Sequence, residues 1–270
     1  MAFALGPRAK AAGCRVEAFD EIASTNAETL MRAHEGECGP LWLVTAHQTG
    51  GHGRRQRPWL APRGNLAASF LEVMDVTPPV AATLGFVAGL SLEAALGALC
   101  ARQPAMGRAR GLFRLKWPND VLAGTAKLAG ILLEAERIGA DALAVVVGIG
   151  VNVAAAPEGL PYPATSLADL GLPISAESLF IALGEAWTDH VRIWDRGRGV
   201  DEIRRRWLER AAGVGEPVAV RMPGGTVSGT FATIDDQGRL IVTTAEGGRT
   251  AISAGDVQFG PAATAAKEGA

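Results

Sequence analysis

The sequence predicts an α+β fold in which helices pack on a mixed sheet and a small β-barrel follows. Three observations carry this. Apolar residues recur at intervals of three and four in long stretches, and apolar strand-like segments punctuated by Gly, Pro and Asn lie among them. After Gly213 the texture changes to short alternating runs broken by paired glycines. The 270 residues, 48% apolar, suffice for a sizeable core and exclude global disorder. With 26 Lys+Arg against 28 Asp+Glu the net charge is −2, so no overall field holds nucleic acid or an anionic membrane, and any basic site is local.

In chain order, Arg15 to Phe19 alternates as a strand, and Thr25 and Glu28 have the spacing of a capping box that opens a short helix. Leu41 to Ala46 is a compact apolar run. A Gly/Arg loop from Gly50 to Arg57 separates it from a strand over Asn65 to Met74. Val80, Leu84, Ala88, Leu92, Ala95 and Leu99 predict a largely buried helix. Leu112 to Trp117, Lys127 to Glu136 and Leu143 to Val153 read as central strands. Two further helical stripes run through Leu179, Leu183, Trp187, Val191 and Trp194, and through Val200, Ile203, Trp207 and Leu208. Pro217 to Arg221, Thr226 to Ile234, Leu240 to Thr244 and Arg249 to Ser253 then build the small barrel.

Cys14, Cys38 and Cys100 are an odd number at wide spacing, and no Cys/His pairing has zinc-site spacing, which fits structural thiols in a reducing cytoplasm. His34 and His190 read as structural, His47 as a strand-edge residue. Trp187, Trp194 and Trp207 belong to the core. The most apolar segment, Ala142 to Val153, is too short to span a bilayer, so no membrane role is expected.

Chemistry concentrates in a few segments. Gly51-His52-Gly53-Arg54-Arg55-Gln56-Arg57 puts guanidinium groups on a loop whose glycines let backbone N–H groups approach a carboxylate or phosphate. Taken alone, such a loop also fits a solvated basic turn. Lys116-Trp117-Pro118-Asn119-Asp120 ends a strand with mixed charge at one sheet edge. Lys127 heads an apolar strand in which Gly130 permits close approach. Gly148-Ile149-Gly150-Val151-Asn152 fails as a dinucleotide fingerprint, because no helix N-terminus follows it.

In this order, Ser24-Thr25-Asn26, Gln48 to Trp59, KWPND at 116–120, Lys127 to Glu134 and Gly148 to Asn152 resemble the biotin-protein ligases, and KWPND is the most specific string. The resemblance runs from about Arg15 to Phe259. It implies a catalytic domain over 1–212, an SH3-like β-barrel over 213–260 and a disordered tail over 261–270. It also implies ATP-dependent activation of biotin to biotinyl-5′-AMP, with Mg²⁺ arriving with ATP and no fixed protein metal site. Transfer to a lysine of a biotin carboxyl carrier domain of a biotin-dependent carboxylase would follow. Arg54, Arg57 and Lys127 are the implied catalytic cations. On the biotin side the resemblance implies Ser24, Thr25, Asn26, Gln48, Gly51, His52, Gly53, Arg54, Lys127 and Gly130. On the ATP side it implies Arg54, Arg57, Trp59, Lys116, Asn119, Asp120, Lys127 and Asn152.

The loop departs from the family's G-R-G-R-x-G-R, with His52 at the first arginine and Gln56 at the third glycine, where a positive φ would strain it. Family members that bind DNA carry an N-terminal helix-turn-helix domain, whereas here the first strand begins at Arg15, so DNA binding by that route is not expected. Homodimerisation stays open. Two alternatives remain: a lipoate/octanoate-protein ligase, and a non-enzymatic binding module with a degenerate ligase fold. The acidic balance and the lack of interleaved basic and aromatic residues on the barrel weigh against a nucleic-acid module.

Overall fold

A computed structural model describes residues 2–102, 111–139 and 142–259. The larger sheet is built from β1 (Arg15–Phe19), β2 (Leu41–Thr45), β3 (Leu66–Met74), β4 (Phe113–Lys116), β5 (Asp120–Ala123), β6 (Ala126–Ile138) and β7 (Ala142–Val151). Its order is β1-β2-β3-β7-β6-β5-β4. β1 and β2 pair in parallel and the other neighbours antiparallel, so the sheet is mixed.

Alternation along the strands gives this sheet two different faces. Val44, Leu66, Ala68, Phe70, Val145, Val147 and Ile149 enter the main core. There they meet α4 (Leu84–Ala101), α5 (Ala176–Trp194) and α6 (Val200–Arg210), with α3 (Pro78–Ala82) leading into α4. Trp187 anchors this core, its ring centroid 5.5 Å from Trp42 and 4.8 Å from Phe70. Trp194 and Trp207 are buried there as well. On the opposite face Leu41, Leu43, Leu71, Ala144 and Val146 close over Ala33 of α2 (Thr25–His34). One helix of 10 residues covers only part of that face, and Trp59 of the segment after the Gly/Arg loop lies on the sheet beside it.

Several boundaries differ from the sequence expectation. The N-cap of α2 is Ser24, whose hydroxyl accepts from the Ala27 N–H at 3.3 Å, because the Thr25 side chain is bonded elsewhere. The KWPND string lies across the β4–β5 turn, so the strand that ends at Lys116 immediately returns as β5. A short α1 (Pro7–Ala11) docks on α5 through Arg8, which donates to Glu185 and Asp189 at 2.8 Å each. Among the described residues, Pro78–Ala101 and not Ala142 to Val153 is the segment long and apolar enough to cross a membrane, and Leu84, Val87, Ala88, Leu90 and Leu92 within it are almost wholly buried in the core.

The second sheet comprises β8 (Pro217–Met222), β9 (Gly225–Ile234), β10 (Leu240–Thr243), β11 (Arg249–Ile252) and β12 (Asp256–Phe259). It is antiparallel in the order β11-β10-β9-β8-β12, with a bulge between Ile241 and Val242. Each strand buries at least one side chain in the core, among them Val220, Phe231, Leu240, Ile252 and Val257. This fits the SH3-like unit that the resemblance implies, with a fifth strand, β12, beyond the four that the alternating runs outline. It docks beside the KWPND turn, where the Trp117 indole donates to the Gly238 carbonyl at 2.9 Å. The tail over 261–270 lies outside the described residues.

Candidate active site

On the α2 side of the sheet the side chains shrink to almost nothing over three neighbouring strands. Ser69 of β3 faces Gly148 of β7, and Gly150 of β7 faces Gly130 of β6. A Cβ at Gly148 would collide with the Asn26 amide, and one at Gly150 would lie 2.6 Å from the Trp59 indole. These glycines therefore let α2 and the Gly/Arg loop lie directly on the sheet. The result is a flat, apolar floor with a polar group at each end.

At one end the start of α2 carries a buried polar network. Gln48 Oε1 accepts the Thr25 backbone N–H at 2.9 Å and lies 3.1 Å from Thr25 Oγ1. Ser69 Oγ lies 2.7 Å from Thr25 Oγ1 and 2.6 Å from Asn26 Oδ1. Asn26 Nδ2 donates to Glu134 Oε2 at 2.7 Å, and the other Glu134 oxygen lies 3.5 Å from His52 Nε2. Ser24, Thr25, Asn26 and Ser69 are all buried, as satisfied polar groups can be.

The loop folds as a flap over the floor. Trp59 N–H donates to the Gly51 carbonyl at 2.9 Å, and Gly53 N–H to the Arg57 carbonyl at 2.8 Å. Between them Arg55 and Gln56 take φ of +58° and +57°, so the left-handed backbone foreseen at Gln56 is present and extends to its neighbour. Each costs on the order of 1–2 kcal/mol relative to glycine. Arg54 turns inward and donates to Asn119 Oδ1 at 3.3 Å. Burial, and next the charge of Arg55, lower the proton affinity of Arg54, which as an arginine stays charged. Arg57 turns to the surface: its guanidinium meets Asp256 of β12 at 3.0 Å, a carboxylate it shares with Arg55 at 3.7 Å.

At the other end Lys127 Nζ pairs with Asp120 at 2.7 Å and lies 5.6 Å from the ring centroids of both Trp59 and Tyr162. Asn119 ties the turn to β6, donating from Nδ2 to the Ile131 carbonyl at 2.8 Å. Asn152 Nδ2 donates to the Thr165 carbonyl at 3.1 Å, whereas its buried Oδ1 has no partner. Asn152, Lys127, Trp59 and Tyr162 line one narrow cleft. Lys116 sits to one side over Phe259 at 5.8 Å, and burial lowers its pKa. Among the described residues no cluster of three His, Cys, Asp or Glu side chains could hold a metal.

The structure thus brings together Ser24, Thr25, Asn26, Gln48, Gly51, His52, Gly130 and Trp59 at the floor, and Arg54, Asn119, Asp120, Lys127 and Asn152 at its charged end. Sequence reasoning missed Ser69, Glu134, Tyr162 and Asp256 as neighbours of the site. Glu134 shares strand parity with Gly130, and Ser69 is a lone polar residue in an apolar strand, so both left a signal. Tyr162 and Asp256 left none. His47 sits outside the network, against Glu21 at 2.7 Å and Arg63 at 2.9 Å. The three cysteines are free, and burial raises the pKa of Cys14 and Cys100.

Residues 19–152 match the biotin/lipoate A/B protein ligase family, and residues 213–260 match the biotin protein ligase C terminal domain. A biotin--[acetyl-CoA-carboxylase] ligase of Paracoccus denitrificans is 40% identical over 243 residues, 88% of this chain and 97% of that protein. The chain belongs to the biotin/lipoate A/B protein ligase family. A second biotin--[acetyl-CoA-carboxylase] ligase, from Mycobacterium tuberculosis, is 37% identical over 248 residues, 90% of this chain and 88% of its own length. Among solved structures, the biotin protein ligase from Aquifex aeolicus in complex with biotin and ATP superposes with a TM-score of 0.72. It is 26% identical and covers 91% of this chain and 99% of its own. Family membership therefore extends over both sheets.

Proposed function

We propose that this chain joins biotin to ATP, releases pyrophosphate, and passes the biotinyl group from biotinyl-5′-AMP to one lysine of a carrier domain of a biotin-dependent carboxylase. The observation that carries this reading is the floor itself. A hydrogen-bonding end at Thr25 and Gln48 and a cationic end at Lys127 and Arg54 are joined by a floor of glycines on which the Trp59 indole lies. A ligand with a polar ring, an apolar chain and a terminal carboxylate matches that order of chemistry.

The first step joins two anions. The biotin carboxylate oxygen attacks the α-phosphorus in line, the bond from that phosphorus to the bridging oxygen breaks, and pyrophosphate leaves. Arg54 and Lys127 offset the carboxylate and α-phosphate charges as they approach. Lys116 and Arg57 lie at greater remove, toward β12, and bear on the outer phosphates or on the carrier. Trp59, already flat on the glycine floor, packs against the nucleotide base, with Asn152 in the same cleft. Mg²⁺ shares the triphosphate charge and enters with it. In the second step the carrier amine attacks the anhydride carbonyl and AMP leaves.

The test is pyrophosphate release from ATP and Mg²⁺ with biotin, lipoate and octanoate in parallel, followed by addition of a carrier domain. Release with biotin and a biotinylated carrier is expected. Release with lipoate alone would move the chain to the lipoate branch, and no release with any acid would favour a non-enzymatic module.

A further inference from the structure

We infer that Asp256, the first residue of β12, is a positioning residue: its carboxylate grips the tip of the Gly/Arg loop on both sides of Gln56 and so holds Arg54 and Trp59 at the site. The kinetic part of this rests on the biotin reading above and deepens it. Asp256 Oδ2 lies 3.0 Å from Arg57 Nη2 and 3.7 Å from Arg55 Nη1, so one carboxylate of the second sheet bridges the residues before and after Gln56. The same sheet accepts the Trp117 indole at the Gly238 carbonyl, so it bears on the loop as well as on the KWPND turn.

The tip needs a hold from outside. Arg55 and Gln56 are left-handed at φ +58° and +57°, a conformation that residues other than glycine adopt at a cost and keep only where the surroundings enforce it. Three backbone bonds run within the loop: Gly53 N–H to the Arg57 carbonyl at 2.8 Å, Arg57 N–H to the Arg54 carbonyl at 3.4 Å, and Trp59 N–H to the Gly51 carbonyl at 2.9 Å. They close the loop on itself without fixing where its tip lies. Toward the large sheet, His52 reaches Glu134 at 3.5 Å and Arg54 reaches Asn119 at 3.3 Å, both long contacts and both ahead of the strained pair. Asp256 acts on the strained pair itself and on the residue that leads back to Trp59. Gln56→Gly would remove the strain at that position, so it lessens the need for the hold and serves as a control.

The experiment compares wild type, Asp256→Ala, Gln56→Gly and the double variant. Pyrophosphate release is measured with biotin and then ATP varied, and trypsin nicking after Arg54 and Arg55 is followed in the ligand-free protein. An exposed ion pair shifts a population by up to about fivefold, and two pairs share this carboxylate. In Asp256→Ala the KM for biotin therefore rises about 3- to 10-fold while kcat stays within about twofold, because bound ligand selects the loop in place. Nicking quickens at least about threefold. Gln56→Gly alone stays within about twofold of wild type, and added to Asp256→Ala it brings the KM back to within about twofold, which it would not do for an aspartate that only supports the barrel. Asp256→Asn keeps the shape without the charge, follows the alanine variant in direction and stands in if that variant does not fold. Unchanged nicking in Asp256→Ala overturns the inference, as does a rise in KM that Gln56→Gly leaves in place. So does a fall in the KM for ATP with that for biotin unchanged, since Asp256 would then compete with phosphate for Arg57. A wild type that turns over no biotin overturns the ligase reading, and the nicking rates alone then decide the role of Asp256.

Discussion

Lys127→Ala separates two contributions of one side chain. Its ammonium pairs with Asp120 at 2.7 Å and both side chains are only 19% exposed, so the pair is poorly screened. Taking its counter-charge away from a part-buried carboxylate of this kind costs about 1.5–3 kcal/mol of stability. Unfolding entropy near 2.1 cal/mol/K per residue gives a chain of this length about 0.57 kcal/mol/K, so Tm falls by about 3–5 °C. The chemical step loses more. Removing a charged group aimed at developing negative charge costs about 2.7–4 kcal/mol, or roughly 10²–10³ in kcat. Calorimetry reads the first quantity and biotin-dependent pyrophosphate release the second. Combining Lys127→Ala with Asp120→Ala removes the unpaired carboxylate, so the Tm loss is smaller than the sum of the single losses, while the rate stays at or below that of Lys127→Ala. A Lys127→Ala rate within about threefold of wild type, or a double variant whose rate recovers along with its Tm, would refute the charge-offsetting role.

Gly148→Ala drives a methyl group into the Asn26 amide, which should cost about 1–3 kcal/mol and raise the KM for biotin at least about tenfold, measured by calorimetry and steady-state kinetics. Trp187→Ala empties the centre of the aromatic cluster; a loss of about 3–5 kcal/mol should lower Tm by about 5–9 °C, with the rate per folded molecule unchanged. His190 lies against the Ser91 hydroxyl and the Ala186 carbonyl, and burial foremost, with Arg206 and Arg210, depresses its pKa. As pH falls below about 6.5 the unfolded chain takes up a proton that the folded one resists, so this group's contribution to stability declines until the buried imidazole also protonates. Between pH 7.5 and 5.5 the wild type should therefore lose more Tm than His190→Gln; equal losses would show that His190 is not the source.

Much of the site was legible because the chemistry sits in short strings. KWPND and the Gly/Arg loop each place several polar groups within a few residues, and turn residues fix their local shape whatever the rest of the chain does. The long helices were legible from their stripes, although α4 is so apolar all round that composition alone also fits a membrane span. The cap of α2 was misplaced by one residue for a tertiary reason: the Thr25 hydroxyl is taken up by Ser69 and Gln48, so Ser24 caps instead.

The sequence by itself determined the local patterns: which segments alternate, where turns break them, that cations cluster on a loop and at the KWPND turn, and that the second sheet follows Gly213. Tertiary structure alone decided which of those groups meet. Arg54 and Arg57 are three positions apart on one loop, yet one reaches Asn119 and the other Asp256, because two left-handed residues reverse the chain between them. Asn26, Ser69 and Glu134 form one network only because the register of β3, β7 and β6 aligns them. That register is set by burying one sheet face against α4 and α5, where a slip of one residue would turn every apolar side chain outward.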